Sequence, residues 1–146
     1  MQLIHSVMII DDDDDDRMLF SEALTEVCPS CILISASNGK EALELLQRSD
    51  ITLPGLIFLD LNMPCMNGMQ CLNQLRKCAS LRNIPVIMYT TTQMIDSFES
   101  FQKFAPVFFL TKPNRYKDIV QTLSYLLNNT WWKDEKILKE KIIQIS

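Results

Sequence analysis

The sequence predicts an α/β fold, a doubly wound (βα)5 parallel sheet of five strands in the order 2-1-3-4-5. Two observations predict it. Short apolar runs alternate along the chain with segments whose apolar residues recur at helical spacing. The connections between them are too short for anything but right-handed crossovers, which place helices on both faces of the sheet.

The composition indicates one globular domain. The chain has 146 residues, of which 47% are hydrophobic. Its formal net charge is −4, its pI is about 4.9 and no basic stripe is present, which argues against direct nucleic-acid binding. The apolar runs are too short to span a bilayer, and no Lys or Arg precedes the first one as in a signal peptide. We therefore expect a cytoplasmic protein without membrane contact.

The first half of the chain contains two strand–helix pairs: strand 6–10, helix 14–27, strand 31–36 and helix 40–47. The first strand is an apolar, β-leaning run that ends at Asp11. Helix 14–27 has acidic residues in its first turn, where the helix dipole favours them, and Pro29 ends it. The turn Asn38-Gly39 leads from the second strand into the second helix.

The second half contains three more pairs: strand 55–59 with helix 69–79, strand 85–90 with helix 94–104, and strand 107–111 with helix 115–127. The third strand is continuously apolar, as expected of a strand buried on both faces of a parallel sheet. It ends in Asp60, and Pro64 and Gly68 then turn the chain towards the next helix. Lys112-Pro113 closes the fifth strand.

Together these elements predict one domain over residues 1–128, with the strand order of flavodoxin-like sheets. Residues 129–146 follow as a C-terminal extension. This extension contains Trp131-Trp132 and then mixed Lys and Glu with interspersed Ile and Leu. We expect it to form a short amphipathic helix or a tail.

The five cysteines are an odd number in a chain without a secretion signal, so reduced thiols are expected. Cys28 and Cys31 form a CxxC, but this pair closes a helix, whereas redox pairs open one. A zinc site would need two more ligands. The only His is His5, and Cys71 and Cys78 are not a CxxC. Structural cysteines are the favoured interpretation.

Polar side chains end four of the five predicted strands: Asp11 and Asp12 after the first, Asp60 after the third, Thr90 at the end of the fourth and Lys112 after the fifth. In a sheet of this order these strand ends meet at one crevice. Three crowded carboxylates repel one another unless a cation joins them, and hard oxygen ligands with room for water suit Mg²⁺.

Lys112 and Thr90 add a positive charge and a hydroxyl donor to this crevice. With Mg²⁺ they form a cradle for a dianionic phosphoryl group. Asp60 is placed to attack phosphorus through a carboxylate oxygen.

Four blocks of the sequence resemble the signature blocks of the response-regulator receiver domain of two-component phosphorelay systems: Ile10-Asp11-Asp12, Phe58-Leu59-Asp60-Leu61-Asn62-Met63-Pro64 with Gly68, Tyr89-Thr90, and Leu110-Thr111-Lys112-Pro113. The resemblance covers about residues 6–128. It implies that Asp60 is phosphorylated by a histidine kinase or a phosphotransfer protein. The protein would then be a signalling phosphoprotein with slow self-dephosphorylation, not an enzyme.

The resemblance also implies the metal ligands. Asp11 and Asp12 would hold Mg²⁺ together with Asp60, and the backbone carbonyl of Asn62 would complete the protein ligands. We interpret the remaining acids of the run, Asp13 to Asp16, as solvated groups that attract cations and are not ligands.

Three further roles follow from the resemblance. Thr90 would hydrogen-bond the phosphoryl group, Lys112 would pair with it, and Phe109 would be the switch aromatic that turns inward. The chain resembles single-domain, chemotaxis-regulator-like members, which dock on a downstream protein through an output surface. This output surface comprises the predicted fourth helix, fifth strand and fifth helix (residues 94–104, 107–111 and 115–127), and a homodimer could use it as well.

Two departures from the family pattern concern the output mechanism and not the phosphorylation chemistry. Phe104-Ala105-Pro106 replaces the small, Gly-containing turn that is usual before the fifth strand. Phe109 replaces the commoner tyrosine, which removes a hydroxyl that could bond a partner.

Three alternative functions agree less well with the sequence. A calcium-binding EF-hand loop would use Asp11, Asp13, Asp15 and Glu22. Such a loop requires glycine at its sixth position, which Asp16 occupies here. An aspartyl phosphatase would need an acid two residues after Asp60, where Asn62 stands. A degenerate receiver that binds partners without phosphorylation is disfavoured by the complete set of site residues.

Overall fold

A computed structural model of the chain describes residues 4–61, 63, 66–90, 107–129 and 142–145, and for Thr90, Val107 and residues 142–145 it describes the backbone only. The described strands are β1 (Ser6–Ile10), β2 (Ile32–Ala36), β3 (Leu56–Leu59), β4 (Val86–Thr90), β5 (Val107–Thr111) and β6 (Ile142–Ile145). The described helices are α1 (Asp14–Val27), α2 (Gly39–Leu46), α3 (Gly68–Lys77) and α4 (Tyr116–Asn128). The predicted helix 94–104 lies outside the described residues.

The strands form one sheet in the order β2-β1-β3-β4-β5-β6, and all neighbouring strands are parallel. The predicted order 2-1-3-4-5 is thereby confirmed. Strand β3 is central, and all four of its residues are buried, as its continuously apolar sequence predicts. None of the described helices is long and apolar enough to cross a membrane.

The C-terminal segment corrects one expectation. We expected a short helix or a tail, but residues 142–145 form β6, which pairs with β5 from Val107↔Ile142 to Leu110↔Ile145. The sequence Ile-Ile-Gln-Ile is rich in β-branched side chains, which favour strands. The edge of β5 also offers unpaired backbone groups that a further strand can satisfy.

The core has two parts, one on each face of the sheet. On one face β1, β3, β4 and β5 pack against α1 and α4. There Phe58 packs edge-on against Phe20 and Tyr89, with ring centroids 4.9 Å and 5.6 Å apart. On the other face Ile57 and Leu59 pack against residues of α2 and α3. The alternation along β3 thus fixes which helices cover which face.

Side-chain caps fix where the helices near the crevice begin. Asp13 caps α1 by accepting a hydrogen bond from the Asp16 backbone N–H at 3.0 Å. Asn67 and Gln70 form a reciprocal capping box at the start of α3. Both helices therefore start next to the carboxyl ends of β1 and β3, where the candidate site lies.

Candidate functional site

Three aspartates meet at the carboxyl ends of β1 and β3. The two strands pair in parallel with Ile10 opposite Leu59, so the residues that follow each strand lie side by side. Carboxylate oxygens of Asp11, Asp12 and Asp60 all lie within 4.8 Å of one another. Asp11 is fully buried and Asp60 nearly so, while Asp12 is exposed. The sequence predicted this convergence.

Backbone hydrogen bonds hold two of these aspartates in place. The Asp60 N–H donates to the Ile10 carbonyl at 2.9 Å, and the Asp11 N–H donates to the Ala36 carbonyl at 3.0 Å. The donor chemistry of the cluster, three carboxylates with one side open to solvent, fits Mg²⁺. The proposed fourth ligand, the backbone carbonyl of Asn62, lies outside the described residues.

Lys112 brings a positive charge to the cluster from the end of β5. Its Nζ lies 2.5 Å from Asp11 Oδ2, 2.8 Å from Asp16 Oδ2 and 3.9 Å from Asp60 Oδ2. It also lies 5.5 Å from the centre of the Tyr89 ring, within the range of a cation–π contact. The Lys112 side chain is only 8% exposed, so its charge depends on these partners.

The protonation of Lys112 follows from the balance of burial and charge. Burial alone lowers the pKa of Lys112. Hydrogen bonds to Asp11 and Asp16, together with the charges of Asp11 and Asp60, outweigh burial and raise the pKa above its usual value. Lys112 therefore stays positively charged throughout the physiological pH range.

Asp16 corrects another expectation. We expected it to be a solvated acid, but its carboxylate contacts Lys112 and its side chain is 34% exposed. Asp16 lies one helical turn before Phe20, a buried residue on the inward face of α1. That i, i+4 spacing was the sequence signal that could have placed Asp16 at the crevice.

Two other predicted site residues lie on β4 and β5. Thr90 is the last residue of β4 and pairs with Thr111, which places its backbone at the same edge of the sheet as Lys112. Its side chain is outside the description. Phe109 is buried at 4% exposure and belongs to the core cluster on the face of α2 and α3, together with Met88 opposite it.

A groove of about 190 Å³ opens beside Lys112. Its walls include Asp16 and Leu19 from α1, and Tyr116 and Ile119 from α4. The Asp16–Lys112 ion pair therefore lies on the wall of an open groove, in contrast to the buried contact between Lys112 and Asp11.

The cysteines and the EF-hand pattern do not form sites in the described structure. No disulfide links any two of the described cysteines Cys28, Cys31, Cys71 and Cys78. The EF-hand interpretation fails because α1 begins at Asp14, so Asp15 and Glu22, two of the four acids that would line a calcium loop, lie on a helix instead.

Known proteins are similar to this chain in sequence and in fold. The family profile described as "Response regulator receiver domain" matches residues 7–124. A protein-glutamate methylesterase/protein-glutamine glutaminase from Bacillus subtilis is 36% identical over 85 residues, which are 58% of this chain and 22% of that protein. The chain thus spans about a fifth of the length of this curated relative.

Two solved structures have nearly the same extent as this chain. Response regulator Rcp1, in its Mn(2+)-bound form, is 26% identical with a TM-score of 0.71, over 84% of this chain and 91% of that one. Chemotaxis response regulator CheY4 of Vibrio cholerae is 25% identical with a TM-score of 0.70, over 86% of this chain and 100% of that one.

Proposed function

The chain belongs to the response regulator receiver domain family. On that basis we propose that it acts as a response regulator that accepts a phosphoryl group on Asp60. Receiver domains are signalling phosphoacceptors of two-component systems. The observation that supports the assignment of Asp60 is its position: a nearly buried carboxylate next to Asp11 and Asp12, with Lys112 Nζ 3.9 Å away. The donor would be a histidine kinase or a phosphotransfer protein.

The carboxylates of Asp11, Asp12 and Asp60 would hold Mg²⁺, which supplies positive charge next to the oxygens of the phosphoryl group. Rcp1, with the same fold, binds Mn²⁺. A carboxylate oxygen of Asp60 attacks phosphorus, and the bond from phosphorus to the donor nitrogen breaks as the new P–O bond forms. Asp60 reacts as an anion, so no base is needed to activate it. Lys112 then pairs with an oxygen of the bound phosphoryl group.

We propose that Thr90 and Phe109 transmit the effect of phosphorylation from Asp60 to the output surface. Thr90 ends β4 beside the site, and Phe109 lies on the neighbouring strand, one strand position before Leu110 and three before Lys112. Movement of Thr90 towards the phosphoryl group and of Phe109 would alter the output surface, which then docks on a downstream protein in the cytoplasm. Slow hydrolysis of the aspartyl phosphate would reset the protein.

The test is the intact-protein mass after incubation with Mg²⁺ and a small acyl phosphate. We expect one phosphoryl adduct on the wild type and none on Asp60→Asn. Asp15→Asn is a matched control because Asp15 is an exposed acid of the same run, and it should retain the adduct. Removal of Mg²⁺ with a chelator should abolish the adduct in every variant.

An adduct that persists in Asp60→Asn would show that another residue is the acceptor. A wild type that binds Mg²⁺ but accepts no phosphoryl group, from either the small donor or a histidine kinase, would favour the phosphorylation-independent binding module instead.

A further inference from the structure

Lys112 has two anionic partners that differ in how firmly they are held. Asp11 Oδ2 lies 2.5 Å from Lys112 Nζ, and the Asp11 side chain is fully buried. Its other oxygen, Oδ1, accepts a hydrogen bond from the Asp13 backbone N–H at 3.0 Å. Asp16 Oδ2 lies 2.8 Å from Lys112 Nζ, but the Asp16 side chain is 34% exposed on the wall of the groove. Asp11 is fixed in place, whereas Asp16 can turn towards water.

Lys112, in contrast to Asp16, cannot exchange its anionic partners for water. Its side chain is 8% exposed, and an ammonium group removed from water needs anionic partners. In the described site two of its donors point to Asp11 and Asp16, while Asp60 Oδ2 at 3.9 Å is beyond hydrogen-bonding distance from Nζ. To pair with a group bound on Asp60, Lys112 must move towards Asp60.

We propose that Asp16 is the resting counter-ion of Lys112, a positioning residue that holds the ammonium group back from Asp60 until a phosphoryl group displaces the Asp16 carboxylate. This inference rests on the proposed function of Asp60 as the phosphoacceptor. Asp16 is the partner that leaves because its carboxylate regains water in the groove, while release of the buried Asp11 carboxylate would strand a charge in the core.

The consequence is a competition between two anions for one ammonium group. Each bound phosphoryl group must overcome the Asp16–Lys112 attraction before Lys112 is available. Neutralising Asp16 removes this competitor and leaves Asp11 as the carboxylate that accepts a hydrogen bond from Lys112. The variant should therefore bind a phosphoryl analogue more tightly than the wild type, an effect that damage to the fold would not produce.

The experiment measures the affinity of the full chain for beryllofluoride, a mimic of the aspartyl phosphate, at saturating Mg²⁺ by titration calorimetry. We expect Asp16→Asn to bind about fivefold more tightly than the wild type, the size expected for a partly exposed ion pair. Asp16→Glu, which keeps the charge, should return the affinity towards the wild-type value.

Asp15→Asn separates this competition from a general loss of negative charge. Asp15 precedes Asp16 in the chain, is exposed and carries the same charge, so the affinity should change by less than about twofold because exposed charges are strongly screened. Urea unfolding of the three variants checks that their stability stays close to that of the wild type.

The outcomes are distinguishable. Equal affinities of Asp16→Asn and Asp15→Asn would overturn the proposal, as would weaker binding by Asp16→Asn, since that result would mean that Asp16 supports Lys112 in the bound state. Failure of the wild type to bind beryllofluoride with Mg²⁺ would overturn the proposed function of Asp60, and this inference with it.

Discussion

Asp11 and Lys112 each make the burial of the other possible. Asp11 is fully buried in the low dielectric of the core, and removal of an unpaired carboxylate from water costs several kcal/mol. The short contact to Lys112 and the hydrogen bond from the Asp13 N–H together satisfy both carboxylate oxygens. A cation that ligates Asp11 must therefore compete with Lys112, which links the metal site to the phosphoryl-binding group.

Burial also shifts the pKa of the Cys71 thiol, and the direction of this shift predicts how the stability of the protein changes with pH. Cys71 lies on the inward face of α3, and burial raises the pKa of its thiol from 9.0 to about 12. The unfolded chain then loses the thiol proton first as the pH rises. The stability due to this difference is complete below pH 9 and falls as the pH increases from 9 towards 12.

We expect the free energy of unfolding of the wild type to fall by about 2 kcal/mol more than that of Cys71→Ala between pH 8 and pH 10.5, as urea titrations would measure. Cys78→Ala is the matched control, since a hydrogen bond with Ser80 lowers the pKa of the Cys78 thiol instead. The same pH dependence in wild type and Cys71→Ala would show that the Cys71 thiol ionises freely in the folded protein.

At the scale of elements, the first residue of α3 packs against the backbone of Asp60 and Leu61, directly after β3. A Cβ atom on Gly68 would lie 2.7 Å from the Asp60 carbonyl oxygen and 2.7 Å from Leu61 Cα. The Gly68 N–H also donates to the Leu61 carbonyl at 2.9 Å. Glycine is needed here because backbone approaches backbone, and neither can move without displacing Asp60.

Gly68→Ala should therefore destabilise the protein by about 1–3 kcal/mol, the range for overpacking, and lower the yield of phosphorylated Asp60. Gly55→Ala is the comparison, because a Cβ atom there would meet only ordinary contacts from 3.4 Å outwards. Urea unfolding and intact-protein mass measure the two effects. Wild-type stability and phosphorylation of Gly68→Ala would mean that the α3 start can shift freely relative to Asp60.

Local signals in the sequence predict the bounds of some strands and helices and miss others. The predicted bounds are confirmed for strands 6–10 and 107–111 and for helix 14–27. Each strand is an apolar run that stops at a charged residue, and the helical spacing of 14–27 stops before a helix-breaking proline. Helix α3 begins one residue earlier than predicted, since the Asn67 capping box and not the apolar spacing sets its start. Asp16 was missed because the prediction treated the acids after Asp12 as one solvated group and did not use the i, i+4 spacing of Asp16 to the buried Phe20.

At the scale of the whole molecule, β6 changes what the fold presents to partners. The sequence could not predict it because its place depends on pairing with β5, more than thirty residues earlier, and not on its own spacing. β5 belongs to the expected output surface, yet one of its edges is occupied by β6. A partner that added a strand to β5 would have to displace β6 first.

A proline in β6 tests this arrangement. Ile143 pairs with Phe108 of β5, and Ile143→Pro removes a backbone donor from the β6 strand and fits poorly into a ladder. Because backbone groups of a strand point alternately to its two neighbours, we expect alternate amides of β5 to exchange hydrogen about tenfold faster, while those directed to β4 stay protected.

Hydrogen exchange resolved by NMR measures this pattern, with the amides of β1 as an internal reference because β3 and β4 separate β1 from β5. Ile143→Val keeps the donor and the β-branched shape, so it should retain the wild-type protection. Unchanged exchange of every β5 amide in Ile143→Pro would mean that β6 does not hold the edge of β5 in solution. The output surface would then include a free strand edge, and strand addition would become an available mode of docking.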